Sequence, residues 1–254
     1  MSRSDLVFHR SRPWFFRPLP RSEEPELMDQ PTLDQIELAG NLRDIRRVNQ
    51  LLGGTSVVLG HLPQFMDTIP DTKPVTLLDL ATGSADIPVA VSRWAKGRGI
   101  SMTIIASDCS AQMLELAREQ IADHRDITLA RYDARAVPLP DKSVDIVLCS
   151  LSLHHFPPVD AMRVLREMNR LARRGFILND LRRSRLGYFA AWLAARLTTR
   201  NRLTRNDAPL SVRRAYTPQE LEELLTRAGI HDATISTHLW FRMAAVKIGA
   251  TSHG

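Results

Sequence analysis

The chain has 254 residues, of which 44% are hydrophobic and 24% charged, proportions ordinary for a soluble globular protein able to bury a substantial core. Its longest nearly uncharged apolar stretch, 186–195, is about half of what a membrane span needs, and two cysteines, Cys109 and Cys149, cannot build a disulfide framework or a zinc site by themselves. The net charge of +6 is local: nine arginines against Asp207 lie between Arg182 and Arg214, and five against Asp5 in the first 21 residues. The main body is acidic, which disfavours a protein that grips nucleic acid with its whole surface and points to a local anionic partner.

Residues 1–27 carry Arg-Pro, Leu-Pro and Glu-Pro steps and no apolar periodicity. Too little surface can be buried there to offset the ordering entropy, so a disordered or loosely docked extension is expected, and Met28 would serve as an alternative start. No apolar run leads to a small-residue cleavage site, so no secretory signal and a cytoplasmic location are expected. Residues 28–70 read as cap helices. Apolar residues recur at helical spacing from Leu33 to Leu52 and stop at Gly53-Gly54, and a short helix covers Ser56 to Met66.

From Val75 the pattern alternates. Strands are predicted at Val75–Leu80, Met102–Ser107, Ile127–Ala130, Val144–Ser150 and Phe176–Asn179, with helices at Ser84–Ala95, Ala111–Ala122 and Val159–Ala172. A long Arg-rich helical insert follows, at about 181–215. Thr217-Pro218-Gln219-Glu220 then caps a helix ending at Ala228-Gly229, and Ala233–Ile248 resembles two antiparallel strands. The fold class is therefore α/β: a Rossmann-like, doubly wound, seven-stranded sheet over 71–254, mostly parallel with an antiparallel last strand, plus a helical cap.

Two motifs carry the chemistry. Leu77-Leu78-Asp79-Leu80-Ala81-Thr82-Gly83-Ser84-Ala85-Asp86 runs a strand through a small-residue turn into a helix, where the backbone can approach a ligand and free N–H groups meet its anionic atoms. Asp86 stands where a dinucleotide fingerprint wants its third small residue, which disfavours a pyrophosphate and hence an NAD-dependent dehydrogenase. Asp108 ends the second strand 25 residues after Gly83, where an acid accepts bonds from both ribose hydroxyls. Such charge-assisted bonds are worth roughly 1.5–3 kcal/mol each.

With Ala106-Ser107-Asp108-Cys109-Ser110-Ala111-Gln112-Met113-Leu114, Tyr132-Asp133-Ala134-Arg135-Ala136-Val137-Pro138-Leu139-Pro140-Asp141, Val144-Asp145-Ile146-Val147 and Leu151-Ser152-Leu153-His154-His155 added, the sequence resembles the class I S-adenosylmethionine-dependent methyltransferases. The likeness is to small-molecule enzymes of the ubiquinone/menaquinone-biosynthesis type and covers about 75–180. It implies S-adenosyl-L-methionine as cofactor, with Asp79 reaching the methionine amino group and the Ala81–Gly83 backbone lining methionine and ribose. It further implies Asp108 on the ribose hydroxyls, Met113 over the adenine, Asp133 accepting from the exocyclic amine beside Ala134 N–H, and Ser150 under the methionine moiety. The family has Gly at Ala81 and Ala85 more often than Ala.

His154 or His155, just past the fourth strand and positioned by Asp180 at the end of the fifth, is expected as the base for a phenolic or alcoholic acceptor; capping of the loop is the alternative. No metal site is expected. Cys149 lies inside an apolar strand and reads as a buried thiol rather than a nucleophile. The insert, with Tyr188, Phe189 and Trp192 read as core, suits a lipophilic or anionic acceptor or contact with a membrane surface. The expected function is methyl transfer to a small phenolic, quinonoid or polyketide-like acceptor, O- before C- or N-methylation. An RNA methyltransferase and a cofactor-binding protein without transfer activity are the alternatives, and a nucleic-acid partner is disfavoured.

Overall fold

In a computed structural model, the described residues are 18–30, 33–67 and 73–249. Five strands, β1 (Val75–Leu80), β2 (Met102–Asp108), β3 (Ile127–Arg131), β4 (Val144–Ser150) and β5 (Ala172–Leu181), run parallel. With β6 (Thr234–His238) and β7 (Arg242–Ile248) they make one seven-stranded sheet in the order β3-β2-β1-β4-β5-β7-β6. β7, last in the chain, is antiparallel to both of its neighbours. The central strands β1 and β4 are buried along nearly their whole length, as their unbroken apolar runs require in a sheet covered on both faces. The order reverses between β1 and β4, so a crevice opens beyond their carboxyl ends, where Leu80 pairs with Ser107 on one side and Cys149 on the other.

The helices are α1 (Gln35–Leu51), α2 (Gly54–His61), α3 (Pro63–Met66), α4 (Asp86–Lys96), α5 (Ala111–Gln120), α6 (Pro158–Leu171), α7 (Arg185–Thr198), α8 (Arg202–Arg214) and α9 (Pro218–Arg227). One apolar core joins α6 and α9 to the sheet through Val164, Leu165, Met168, Leu221 and Leu224. The other joins α2, α3 and α4 to the opposite face through Val58, Phe65, Ile87, Val91 and Trp94. Thr217 and Glu220 form the reciprocal capping box that starts α9. At Gly175 (φ +136°) a Cβ would lie 1.9 Å from the Lys247 carbonyl oxygen, so only glycine allows β7 to pair there.

Local details differ from the sequence expectations for identifiable reasons. The helix expected at Ser56–Met66 is two, because Pro63 lacks the N–H that would continue the ladder. The fifth strand starts at Ala172, which pairs with Val144 of β4, and runs to Leu181, the last residue paired with β7. The insert is two helices, α8 restarting at Asn201, whose side chain accepts from Thr204 N–H. α8 is tied to α1 by polar contacts: Asn41 Nδ2 donates to Thr204 Oγ1 at 3.1 Å, Thr199 Oγ1 to Asp44 at 2.6 Å and Asn201 Nδ2 to the Glu37 carbonyl at 2.8 Å. Phe189 and Trp192, read as core, are 62% and 39% exposed, together with Leu186, Leu193 and Leu197. α7 rests on α8 and turns its other face outward. Among the described residues, no helix is long and apolar enough to cross a membrane.

Of the N-terminal extension, residues 1–17 lie outside the described part. Residues 18–30 run across the loop after β4. Ser22 N–H donates to the Arg213 carbonyl, and the N–H groups of Leu27 and Met28 donate to the Asp207 carboxylate.

Candidate active site

The turn after β1 is shaped by backbone that L-residues rarely adopt. Ala81, Gly83 and Ala85 all have positive φ, at +53°, +56° and +58°, so two alanines occupy positions where glycine costs nothing. At Gly83 a Cβ would meet nothing within 4 Å, leaving open space on the side a ligand would take. Asp79 is buried at the end of β1. Its Oδ2 accepts from Thr82 Oγ1 at 2.6 Å, while its buried Oδ1 has no hydrogen-bond partner. Burial, reinforced by Asp86 and Asp108, pushes its carboxyl up to about 8 despite the Thr82 bond. An orphaned acceptor beside a turn with free space is what the ammonium of a bound methionine moiety would satisfy.

Asp108, at the end of β2, accepts from Gly83 N–H at 3.0 Å and from Ser110 N–H at 2.9 Å. Burial raises its pKa although both amides favour the carboxylate. The two acids therefore stand on adjacent strands, linked through the Thr82–Gly83 turn. Ser150 lies at the end of β4 within 3.5 Å of Asn179 Nδ2. Asp79, Asp108 and Ser150 therefore stand at the carboxyl ends of β1, β2 and β4, where the crevice opens.

Three other candidates are differently engaged. Asp133 is held by Arg135, whose Nη2 lies 2.7 Å away and which also pairs with Asp160; the Arg135 bonds hold Asp133 below the usual carboxylate range. Ala134 is buried in the apolar core. Met113 packs with Leu38, Leu42 and Leu203 beneath α1 and α8. Cys149 contacts Ser152 Oγ at 3.1 Å, and burial pushes its thiol up to about 12, which leaves it inert as a nucleophile.

Across the crevice the histidines separate into two roles. His154 is buried and locked by Asp180, which accepts from its main-chain N–H at 2.9 Å and meets its Nδ1 at 2.6 Å. His155 is partly exposed and pairs instead with Asp29, Nδ1 to Oδ2 at 3.0 Å. Against the burial that pulls an imidazolium down, Glu26 and Asp29 raise His155 to about 9. Glu26, from the docked segment, is almost fully buried over both rings, 3.5 Å from His154 Nε2 and 3.8 Å from His155 Nε2.

Arginines hold this arrangement closed. Arg214 donates to the carbonyls of His154, His155 and Glu24, and Arg21 donates to those of His154 and Phe156 while stacking on Tyr216 at 4.4 Å. Arg183 donates to the Ala215 carbonyl at 2.7 Å and pairs with Glu220. Part of the insert's positive charge is thus consumed by main-chain oxygens rather than offered to a ligand. Arg242, buried on β7, donates to the Leu52 carbonyl at 2.7 Å and to Asn49 Oδ1 at 3.3 Å. Burial lowers it to about 10. The sequence offered no sign of Glu26, Asp29, Arg214 or Arg242 in this site, because every contact is between residues far apart in the chain, from 59 for Arg214 with His155 to well over a hundred for Glu26, Asp29 and Arg242.

Fold and site define a class. Residues 77–175 match the protein-family model described as "Methyltransferase domain", and over that stretch the chain is similar to class I S-adenosylmethionine-dependent methyltransferases, the class whose cofactor is S-adenosyl-L-methionine. Among curated relatives it is similar to the ubiquinone/menaquinone biosynthesis C-methyltransferase UbiE of Hahella chejuensis, 34% identical over 103 residues, covering 39% of this chain and 39% of the relative. It is likewise similar to the demethylmenaquinone methyltransferase of Thermotoga maritima, 33% identical over 109 residues, covering 43% and 44%. The chain thus spans less than half the length of these relatives. Among solved structures, a SAM-dependent methyltransferase from Aquifex aeolicus superposes with a TM-score of 0.56 at 17% identity, covering 85% of this chain and 98% of that one. The CurJ carbon methyltransferase gives 0.64 at 13%, covering 86% and 61%. At those identities the likeness is of fold.

Proposed function

We propose that the chain transfers a methyl group from S-adenosyl-L-methionine to a small phenolic, quinonoid or polyketide-like acceptor. The observation that carries this reading is the pair of sites at the carboxyl ends of the strands: the Asp79–Asp108 cradle on β1 and β2, and the couple of His154, in the loop after β4, with Asp180 on β5. When bound, the cofactor supplies an activated sulfonium methyl, so the protein's task is alignment, exclusion of water and handling of one proton.

Asp79 Oδ1 takes the methionine ammonium, Asp108 the ribose hydroxyls, and the Ala81–Gly83 backbone the chain between them. Asp180 fixes the His154 tautomer, leaving Nε2 to act on an acceptor hydroxyl. Asp133 and Met113 serve the adenine end on this reading only if Asp133 shares its oxygens with Arg135. The acceptor oxygen is the methylated atom; a carbon beside a deprotonated hydroxyl is the second reading, favoured by the relatives' names, and uses the same base. α7, with Leu186, Phe189, Leu193 and Leu197 exposed and Arg196 and Arg200 at its end, suits a lipophilic acceptor or a membrane surface that delivers it.

The test is transfer from S-adenosylmethionine to phenolic and quinol lipids, with NMR of the product and a His154→Ala/His155→Ala double variant. The double variant should keep cofactor affinity and lose transfer about 100-fold or more, the usual scale of general-base loss. Normal turnover in it would remove the base from the mechanism. Activity that depends steeply on salt and prefers RNA would replace the small-molecule reading.

A further inference from the structure

Glu26 presents a problem in electrostatics. Its carboxylate is buried and its Oε1 accepts no hydrogen bond. With Asp180 on His154 Nδ1 and Asp29 on His155 Nδ1, both rings direct Nε2 towards that carboxylate. The gaps of 3.5 Å to His154 and 3.8 Å to His155 exceed good hydrogen bonds. No donor stands at hydrogen-bond distance from the buried Glu26 Oε1, which burial penalises. One ligand atom from each residue can be chosen so that all three lie within 4.8 Å of one another. The 3.5 Å gap between His154 Nε2 and Glu26 Oε1 is close to the edge, about 3.4 Å, of a tetrahedron with metal–ligand bonds of about 2.1 Å, while His155 Nε2 faces the other oxygen, Oε2.

We propose that Glu26, His154 and His155 bind one divalent transition-metal ion, of which zinc is the type. Two imidazoles and one carboxylate suit such an ion rather than magnesium or calcium. The outer contacts also fit, since metal-bound histidines are typically oriented by a carboxylate on the other ring nitrogen, the part Asp180 and Asp29 play here. Arg214 Nε lies 3.8 Å from Glu26 Oε1, but its guanidinium is committed to main-chain carbonyls and leaves the carboxylate available. Three protein ligands leave a coordination position for a small oxygen donor. Resting on the methyltransferase reading, that donor would be the acceptor hydroxyl, whose proton would leave to solvent water; His154 Nε2 would then hold the ion instead of acting as the base proposed above.

The experiment uses the full chain without an affinity tag, stripped by chelator, with no cofactor or acceptor present. Zinc uptake by equilibrium dialysis should reach one ion per chain, and cobalt(II) should give the visible bands of a four-coordinate site. Glu26→Gln should weaken zinc about tenfold or more, and Asp29→Asn about 10–100-fold by freeing the His155 ring; circular dichroism checks that each is folded. His238→Gln, which breaks the separate His61–His238 edge-on pair, should change nothing. Absence of stoichiometric uptake overturns the proposal and leaves protons in the gaps. So does uptake indifferent to both Glu26→Gln and Asp29→Asn. Binding of S-adenosylhomocysteine, measured separately, tells whether the methyltransferase reading stands when the metal site does not.

Discussion

The two sides of the crevice are built in different ways. The cradle is local: Asp79, Thr82 and Gly83 lie within five residues of one another, and Asp108 arrives on the adjacent strand by parallel pairing of β1 with β2. The opposite wall is stitched from four distant segments: residues 21–29, the loop after β4, the end of β5 and the end of α8. The local half uses strained backbone and buried carboxylates, the distant half buried arginines gripping carbonyl oxygens. A site of the first kind is set by its own stretch of sequence, whereas one of the second kind exists only once the chain has folded.

Breaking a stitch should have the largest effect on stability. Arg214→Ala removes donors from three main-chain carbonyls, and should cost about 2–4 kcal/mol, on the scale of buried charged hydrogen bonds lost together. Residues 18–30 should become open to proteolysis while S-adenosylhomocysteine affinity is kept. Chemical denaturation and limited proteolysis check both, and a matched loss of cofactor affinity would mean the two walls are not separable.

The cradle is sharpened by pH. With a folded value of about 8 for Asp79 and an unfolded one near 4, the unfolded chain gives up this proton first. Stability contributed by neutral Asp79 is complete below about pH 4 and falls as pH rises towards 8. A bound ammonium favours the carboxylate, so S-adenosylhomocysteine affinity should rise between about pH 6 and 8. Thermal unfolding and titration across that range should show both slopes in wild type and neither in Asp79→Asn; equal slopes in the two would assign them to other groups.

The smallest effect is expected at Ala81. Replacing it with glycine relieves a left-handed alanine worth about 1–2 kcal/mol but adds unfolded-state freedom worth about 0.4–1 kcal/mol. A gain below about 1 kcal/mol with cofactor affinity unchanged is the expected outcome, and a clear loss would show that the methyl group is packed.

The same division explains what could be read from sequence. Alternating apolar runs located every strand of the sheet, and the capping residues Thr217 and Glu220 placed α9, because those signals act over a few residues. Asp79, Gly83 and Asp108 could be grouped from the sequence because a strand end followed by small residues sits beside the end of the next parallel strand, as the pairing of β1 with β2 places them. His154 and Asp180 could be paired from their positions at neighbouring strand ends, 26 residues apart. Glu26 could not: it sits among prolines and charges in a segment with no periodicity, and only its burial over two histidines gives it meaning. Phe189 and Trp192 were read as core because an apolar helix looks alike whether it faces a core or not, and the partner that decides it is not encoded in the helix.

The most direct test is calorimetric titration of S-adenosylhomocysteine into the wild-type chain and its Asp108→Ala variant, with NADH as control. The account predicts saturable binding of the nucleoside to wild type, no response to NADH, and affinity reduced about tenfold or more in the variant, equal to about 1.4 kcal/mol. Binding of equal strength in both proteins would contradict the cradle assignment, and no binding to either would contradict the cofactor itself.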